Sequence, residues 1–299
     1  MLARAVIKGV NVRTSADSGT NSNIIGQLSM DDRVELVAAY ADAPKWWQVK
    51  WKGKDGYVAR RLVTPVDCPP PVTLDAASAA TVNSTIAKAS ADYDAITYGL
   101  GCKCARNAEG ALKFGEGKDY DGKPCKGTRV DCSGWIAGLA QQIFAEVNKA
   151  AGRDVFAAGR ANFLANVSDA QIVGISKRSA WRIWSGLDID ALTLRAGMVF
   201  GIDQKETRFE GNDRVFKIDH IVMGFEQDGA YHISQSSGGG KGVNTVTWAK
   251  WRKANDTLFK EYRVHCVDLM ALGNWTGAEA SSFEDPTGLH NDFITAPAG

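Results

Sequence analysis

Hydrophobic and polar positions alternate along the first 66 residues of the chain. Strict alternation runs through residues 33–37 (RVELV) and again through residues 47–51 (WQVKW). A period of two predicts half-buried strands, and the lysine-, glycine- and aspartate-rich residues 52–56 (KGKDG) predict a hairpin turn with Asp-Gly chemistry. No stretch here has the length and period of a helix. Residues 1–66 are therefore predicted to form a small all-β barrel, with strands in the segments IIGQL, RVELVAAY, WWQVKW and GYVARRLV.

The alternation stops at a proline-rich segment. Three consecutive prolines favour a stiff, extended chain, so residues 67–74 are interpreted as a linker between two domains. The Ala-rich residues 75–93 then predict a helix that has Asp75 as its N-cap. Residues 102–128 are rich in Gly, Lys and Asp and have no hydrophobic period, which predicts a long loop or insertion.

From Cys132 onward the apolar positions change to a helical period. Ile136, Leu139, Ile143 and Val147 fall on one face of a helix, and residues 155–185 predict further helical segments. Helices followed by a meander of strands indicate an α+β domain over residues 75–270, with helices packed on an antiparallel sheet. Residues 271–299 are polar and predict a surface tail. The strands of the meander are predicted at residues 197–202, 217–226, 230–236, 243–248 and 262–269.

Composition narrows the classes of partner. The chain has 299 residues, 44% of them hydrophobic, and a formal net charge of +1, which argues against a nucleic acid or an anionic membrane as partner. Its apolar runs are far shorter than the roughly 20 residues that span a bilayer. The N-terminal segment MLARAVIKGVNVR lacks the apolar core and cleavage site of a secretory signal. We therefore expect a protein made in the cytoplasm that stays there, leaves by another route, or has its signal outside this sequence.

Six cysteines are too few for a disulfide framework in a chain of this length. Cys102, Cys104 and Cys125 lie close together in sequence, so one local disulfide is compatible with an oxidising compartment. The alternative is a zinc site that also includes Cys132, but its spacing matches neither of the common paired Cys-x-x-Cys arrangements. No metal site and no organic cofactor are predicted.

Cys132 stands at the beginning of the predicted helix, within the motif DCSG. A thiol is a good nucleophile as thiolate, and the unpaired N–H groups and dipole of a helix N-terminus favour that negative charge. A catalytic cysteine also needs a general base, normally a histidine that is close in space. The alternative interpretation is a small, buried, structural cysteine.

Two of the four histidines lie on neighbouring predicted strands. His220 and His232 are twelve residues apart and are separated by the turn EQDG at residues 226–229. Strands joined by a tight turn pair antiparallel, and the register decides whether the two rings share a face. If they do, one can act as base while the other orients it, as in the Ser-His-Asp arrangement. His265 and His290 have no comparable setting and are interpreted as structural.

These motifs resemble those of the NlpC-type cell-wall cysteine peptidases. That family has D-C-S-G at the start of a helix, then H-V-G-I-Y in a strand, then a third polar residue that is often His. In this chain, DHIVMGF resembles the H-V-G-I-Y motif, and AYHIS resembles the segment that contains the third polar residue. The resemblance implies a papain-like domain with Cys132 as nucleophile, His220 as general base and His232 as orienter. The segment TYGLG resembles the family's aromatic residue before Gly-Gly, which implies an oxyanion-side or substrate-side role for Tyr98.

The first 66 residues resemble a bacterial SH3-like (SH3b) module. VNVR, IIGQL and WWQVKWKGKDGYVARRLV match its pattern of L-N-V-R, I-G-x-L and W-x-x-V-x-x-x-G-x-x-G-Y-V. Such a module is expected to hold the cell wall or to shape the cleft, through exposed aromatics among Trp46, Trp47, Trp51 and Tyr57. A module of this type fused to an NlpC-type domain is typical of cell-wall hydrolases. The insertion at residues 102–128 is expected to cap the cleft.

The resemblance implies a peptidoglycan hydrolase. Its partner would be a stem peptide, cleaved between γ-D-glutamyl and the following diamino acid through an acyl-enzyme on Cys132. Asp131 and Ser133 flank the nucleophile and either bind a free amine of the stem or cap the helix. The alternatives are an N-acetylmuramoyl-L-alanine amidase, an amidase with a non-wall substrate, and a wall-binding protein with an inactive catalytic domain. Without a signal peptide, release by a phage lysis system or delivery by a secretion machine is expected, and no inhibitor or immunity protein is identified.

Overall fold

The N-terminal strands form one antiparallel sheet. The computed structural model describes residues 2–39, 45–66, 68, 70–119, 121–156, 167–179, 182–205, 214–239 and 242–274. The first sheet has the strand order β3-β2-β6-β5-β4-β1-β7, and a short 3-10 helix precedes β7. Its strands are β1 Leu2–Ala5, β2 Val10–Arg13, β3 Ile24–Leu28, β4 Arg33–Ala39, β5 Trp46–Trp51, β6 Lys54–Ala59 and β7 Val63–Pro65.

The hairpin between β5 and β6 differs from its prediction in one respect. Trp51 pairs with Lys54, so the two turn residues are Lys52 and Gly53, which both have positive φ (48° and 77°). A two-residue hairpin of this type needs positive φ at both central positions. The Asp-Gly pair that was expected to make the turn lies within β6 instead.

The aromatic residues of the SH3-like unit divide between core and surface. Trp46 and Trp47 are buried, so the expectation that they contact a wall ligand is wrong for both. Trp51 is half-buried and its ring covers Gly26, where an added Cβ would lie 2.0 Å from the ring. Tyr57 is also half-buried. Trp51 and Tyr57 are therefore the two of these four aromatics that remain partly exposed.

The second unit contains a six-stranded antiparallel sheet in the order β12-β17-β13-β14-β15-β16. Its strands are β12 Ile183–Ser185, β13 Met198–Ile202, β14 His220–Gln227, β15 Ala230–Ser237, β16 Gly242–Thr247 and β17 Val264–Asp268. The helices are α1 Ala76–Asp92, α2 Cys132–Ala151, α3 Ser168–Arg178, α4 Trp248–Ala254 and α5 Asp256–Lys260. None of the helices in the described ranges is both long and apolar enough to cross a bilayer.

Helices cover both faces of this sheet. The larger core lies between the sheet and α1 to α3 and contains Trp135, Ile136 and Phe225. A second core lies on the opposite face, where α4 and α5 bring Trp251 and Phe259 against the sheet. The predicted α+β arrangement is confirmed, since both the SH3-like sheet and the helix-covered antiparallel sheet are present.

The insertion at residues 102–128 is more ordered than a loop. It contains a hairpin of β9 Lys103–Arg106 and β10 Leu112–Glu116, and a disulfide joins Cys102 to Cys125. On either side of the insertion, β8 Thr97–Tyr98 and β11 Arg129–Val130 pair in parallel. The hairpin packs against α2 through Cys104 and Leu112, and this tertiary contact compensates for its weak local pattern.

Three further details differ from the sequence prediction. Residues 183–185 form the short edge strand β12, because pairing with β17 overrides the helical pattern around them. Helices α4 and α5 follow β16 without having been predicted. Of the predicted tail, residues 271–274 belong to a 3-10 helix, whereas His290 lies outside the described residues.

Arg4 connects the two units. Its guanidinium donates to the carboxylate of Asp188 and to the hydroxyl of Tyr262, both at 2.6 Å, and lies over the Tyr262 ring. Arg4 belongs to the outer part of the SH3-like sheet, next to β7. These contacts attach the SH3-like unit to the 3-10 helix Gly186–Ala191 and to the segment between α5 and β17.

Candidate active site

Helix α2 begins at Cys132, as the sequence predicts, and Asp131 is its N-cap. The Oδ1 atom of Asp131 accepts hydrogen bonds from the Gly134 N–H at 2.7 Å and from the Ser133 hydroxyl at 3.0 Å. An N-cap carboxylate accepts from backbone N–H groups that have no partner within the helix, and its negative charge is stabilised by the positive end of the helix dipole. The nucleophile candidate is thereby held on the first turn of a buried helix.

Asp131 and Ser133 are both engaged inside the protein. Lys103 donates to Asp131 Oδ2 at 2.5 Å and to Ser133 Oγ at 2.7 Å, and the Gly101 N–H donates to the same Oδ2 at 3.0 Å. All three side chains are buried. The suggested binding of a substrate amine by Asp131 and Ser133 is therefore corrected to helix capping, because the Lys103 ammonium already occupies the carboxylate.

The thiol of Cys132 is buried, with 5% of the residue exposed. Its Sγ lies 4.0 Å from the carbonyl oxygen of Asp219, the residue before His220. Burial raises the pKa of Cys132 to about 12, and Asp131 adds to the rise, while Lys103 and the backbone N–H groups of Ile221 and Ser133 oppose it. The expected lowering of the thiol pKa is wrong for this state, because loss of hydration outweighs the helix N-terminus.

His220 is the first residue of β14 and belongs to a chain of side-chain hydrogen bonds. Its Nε2 lies 3.1 Å from Gln235 Oε1, and Gln235 Nε2 donates to Asn244 Oδ1 at 3.0 Å. Asn244 in turn donates to the carbonyl oxygen of Gly242. Because the Gln235 amide nitrogen is committed to Asn244, its oxygen faces the ring, and His220 Nε2 carries the hydrogen. In the neutral ring, Nδ1 is then the nitrogen that carries the lone pair.

His232 does not reach His220, so its predicted role as orienter is corrected. His232 pairs with Phe225 across the hairpin, so these two side chains lie on the same face of the sheet. Phe225 is an odd number of residues from His220 along β14, so the His220 ring projects from the opposite face. His232 Nδ1 lies 3.0 Å from the Ala230 carbonyl oxygen. Gln235 occupies the place that had been given to His232.

The sequence contains a signal that would have found Gln235. Gln227 pairs with Ala230, so Asp228 and Gly229 form the two-residue turn, both with positive φ (52° and 75°). Asp-Gly is a strong predictor of such a turn. Counting the antiparallel register outward from that turn places Gln235, and not His232, on the face of His220.

Tyr98 shares a cavity with His220. The parallel pairing of β8 with β11 sets Tyr98 beside Val130, immediately before the cap of α2. The cavity has a volume of about 720 Å³ and opens next to the His220–Gln235 pair. Its other lining residues are Leu100, Ile202, Gln204, Asp219, Ser237, Gly238, Gly239, Asn244, Val246, Trp251, Ala254 and Asn255.

The cysteines and histidines away from this cavity have structural settings. Cys102 and Cys125 form the local disulfide, which removes two thiols from the zinc set considered above, and Cys104 donates to the Gly134 carbonyl oxygen. Across the described part of the chain, no three His, Cys, Asp or Glu side chains gather as a metal site. His265 is buried against Ser185, and burial lowers the pKa of His265 to about 3.

The structure therefore places the Cys132 sulfur beside the backbone that precedes His220, and it sets His220 and Tyr98 in one cavity whose lining residues do not include Cys132. The Cys132 sulfur lies 4.0 Å from the Asp219 carbonyl oxygen, the His220 ring is hydrogen-bonded to Gln235, and Tyr98 lines the same cavity as His220. A thiol, an imidazole and a phenol are groups that can take part in nucleophilic acyl transfer.

Comparison with known protein families identifies the N-terminal unit. Residues 8–64 match the family model of the bacterial SH3 domain, which confirms the SH3-like resemblance. No curated protein matches the chain.

Among solved structures, NlpC2 from Trichomonas vaginalis is similar at 10% identity, covering 83% of this chain and 68% of that one, with a TM-score of 0.30. NlpC1 from the same organism is similar at 12% identity, covering 84% and 66%, with a TM-score of 0.28. The roles of individual residues rest on the geometry described above.

Proposed function

We propose that this protein is a cysteine hydrolase that cleaves peptide bonds in the stem peptides of bacterial peptidoglycan. The observation that carries the proposal is the position of the Cys132 sulfur, 4.0 Å from the carbonyl oxygen of Asp219, directly before a histidine that Gln235 holds in one tautomer. The cavity beside His220 is large enough for several residues of a peptide.

The proposed reaction begins with a neutral thiol, because the pKa of Cys132 is raised to about 12 by burial. The Cys132 sulfur attacks the scissile carbonyl carbon while its proton passes to His220 Nδ1. The tetrahedral intermediate collapses to an acyl-enzyme as His220 gives that proton to the leaving amine. His220 then takes a proton from water, hydroxide attacks the acyl carbon, and the proton returns to the sulfur.

Gln235 and Tyr98 have separate roles in this proposal. Gln235 accepts from His220 Nε2 and keeps the lone pair on Nδ1, and the neighbouring Asn244 keeps Gln235 from rotating. The backbone N–H of Cys132 and the hydroxyl of Tyr98 would stabilise the oxyanion, each contributing about 3 kcal/mol to lowering the barrier.

The choice of substrate is supported by the SH3-like unit. Residues 8–64 match the bacterial SH3 domain, and Trp51 and Tyr57 offer ring surface for a wall ligand. Within the stem we propose the bond between γ-D-glutamyl and the diamino acid, as the motifs around Cys132 and His220 imply. The enzyme would reach the wall by secretion, by release during phage lysis, or as a delivered effector.

Digestion of purified peptidoglycan tests this function. Mass spectrometry of the released fragments should show a new free amine on the diamino acid, whereas release of intact stems would support the amidase alternative. Cys132→Ala should abolish cleavage, and Cys68→Ala, which removes a thiol remote from the cavity, should leave it unchanged. Equal cleavage by the parent and Cys132→Ala would exclude a cysteine mechanism, and no cleavage by the parent would favour the inactive wall-binding protein.

A further inference from the structure

A buried carboxylate on α3 holds the backbone that leads into His220. Asp169 lies in the first turn of α3 and is fully buried. Its Oδ2 accepts from the Val215 N–H at 2.7 Å, and its Oδ1 accepts from the N–H groups of Phe216 and Ile218 at 2.9 and 3.1 Å. Burial raises the pKa of Asp169, and the three N–H donors together with Arg214 oppose that rise. Since both oxygens act only as acceptors, the geometry is that of an ionised carboxylate.

The backbone around Asp169 has the shape of an anion-binding nest. Lys217, between two of the donors, has φ of 58°, a left-handed conformation that is unfavourable for a residue with a side chain. Successive N–H groups around such a residue converge on one concave point. The Asp169 carboxylate fills that point, so it stabilises a conformation that the local sequence does not favour.

The same turn of α3 also contacts the nucleophile helix. Ser168 Oγ donates to the Ile218 carbonyl oxygen at 2.9 Å, and Gln171 Nε2 donates to the Ser133 carbonyl oxygen at 2.8 Å. Asp219, whose carbonyl oxygen faces the Cys132 sulfur, comes directly after Ile218. One helical turn is therefore bonded both to the segment before His220 and to the residue after Cys132.

Side-chain packing sets how closely α3 and the 214–219 segment approach the sheet. Ile172 of α3 and Ile218 meet over Gly201 of β13, where an added Cβ would lie 2.7 Å from one side chain and 2.6 Å from the other. Glycine at this position lets α3 and the 214–219 segment lie directly on the sheet. The segment before His220 is thus held from below by the sheet and from the side by Asp169.

We infer that Asp169 is a positioning residue, which sets the location of His220 relative to Cys132 by holding the left-handed turn at Lys217. It acts through the backbone and does not contact substrate. The inference rests on the proposed function because it requires the Cys132 thiol and the His220 imidazole to react together. It gives α3, which lies outside the sequence motifs around Cys132 and His220, a role in positioning His220.

Replacement of the carboxylate by an amide tests the inference with little change in volume. In Asp169→Asn at least one of the three donors must face an NH2 group, so the turn at Lys217 loses part of its support. A displacement of about 1 Å at a reacting group can reduce a rate about 100-fold. We expect kcat on peptidoglycan fragments to fall about 100-fold, with KM changed less than about twofold because the cavity residues are untouched.

A second substitution distinguishes positioning from general stability. Glycine adopts the left-handed conformation without strain, so Lys217→Gly in the Asp169→Asn background should restore kcat at least about tenfold if the turn is what was lost. Asp75→Asn makes the same chemical change at the start of α1, remote from the cavity, and should leave kcat unchanged. If Asp169→Asn does not fold, Ser168→Ala removes only the bond to Ile218 and should lower kcat about fivefold.

A measurement on His220 itself does not depend on hydrolysis. With 15N-labelled histidine, the His220 ring signals report its tautomer and its titration, and His232 serves as an internal reference. In Asp169→Asn we expect the His220 titration and tautomer signals to shift while those of His232 stay unchanged. A shift of this kind in a protein that cleaves no peptidoglycan would support the positioning role and reject the proposed function.

Three results would overturn the positioning role. The first is a folded Asp169→Asn protein with the parent's kcat and unchanged His220 signals. The second is a loss of activity that follows the loss of folded protein and is not reversed by Lys217→Gly. The third is a Ser168→Ala protein with the parent's kcat where Asp169→Asn cannot be prepared.

Discussion

The ring of His220 is hydrogen-bonded to the side-chain amide of Gln235, with 3.1 Å between Nε2 and Oε1. An amide orients the ring without adding charge, whereas a carboxylate in this place would also stabilise the imidazolium. Asn244 holds the amide in the orientation that presents its oxygen. Two neutral side chains, Gln235 of β15 and Asn244 of β16, therefore contribute to the orientation of the His220 ring.

Removal of Gln235 should impair turnover more than binding. In Gln235→Ala the ring loses its acceptor and samples both tautomers, so we expect kcat on peptidoglycan fragments to fall about 10- to 100-fold with KM little changed. His232→Ala is the matched control, because His232 projects from the opposite face of the hairpin, and it should retain the parent's kcat. The reverse order, with His232→Ala the more damaging, would restore His232 as the orienter.

Alkylation of Cys132 should be slow at neutral pH. Burial raises the pKa of this thiol to about 12, so only a very small fraction is thiolate at pH 7. As long as the pH stays below the pKa, this fraction increases about tenfold with each unit by which the pH rises. Iodoacetamide labelling followed by peptide mass spectrometry should show this increase between pH 7 and 10. Fast labelling that is independent of pH above neutrality would instead indicate a preformed thiolate–imidazolium pair.

The free energy of unfolding should fall in acid because of His265. Burial lowers its pKa from 6.5 to about 3, so below pH 6.5 the unfolded chain binds a proton that the folded protein does not. This one group should therefore reduce stability by up to about 1.4 kcal/mol per pH unit between those values. Urea unfolding at pH 7 and pH 4.5 tests it, with His265→Asn as control. Equal acid sensitivity of the two proteins would contradict the prediction.

Lys103 should stabilise the fold through Asp131. Both side chains are buried, so Lys103→Met leaves a buried carboxylate without its cation and should destabilise the protein by about 3–5 kcal/mol. Asp131→Asn in the same background should recover part of this loss. The exposed pair of Lys50 and Asp55 provides the control, since Lys50→Met should change stability by less than about 1 kcal/mol. Equal effects in thermal unfolding would argue against burial as the cause.

Local pattern in the sequence was sufficient for most of the elements. Strict alternation predicted β4 and β5, and Asp75 and the DCSG motif marked the starts of α1 and α2, where Asp75 and Asp131 do cap the helices. These features depend on interactions within a few residues, namely side-chain periodicity and capping of free N–H groups. The short strand β12 and the hairpin of residues 103–116 were not found, since distant partners stabilise them.

The composition of the site was settled in part by the sequence and in part by tertiary structure. The positions of Cys132 at a helix start and of His220 in a strand follow from local pattern, whereas the predicted strand began at residue 217 and β14 begins at His220. The register of one hairpin decides that Gln235, and not His232, lies beside His220. A register places every side chain of a strand on one face of the sheet or the other. The burial of the Cys132 thiol, the ion pair of Asp131 with Lys103 and the hydrogen bonds of Asp169 to the backbone before His220 arise where segments distant in sequence pack together. Burial and charge pairing of that kind depend on the surroundings in three dimensions, which no local window of sequence contains.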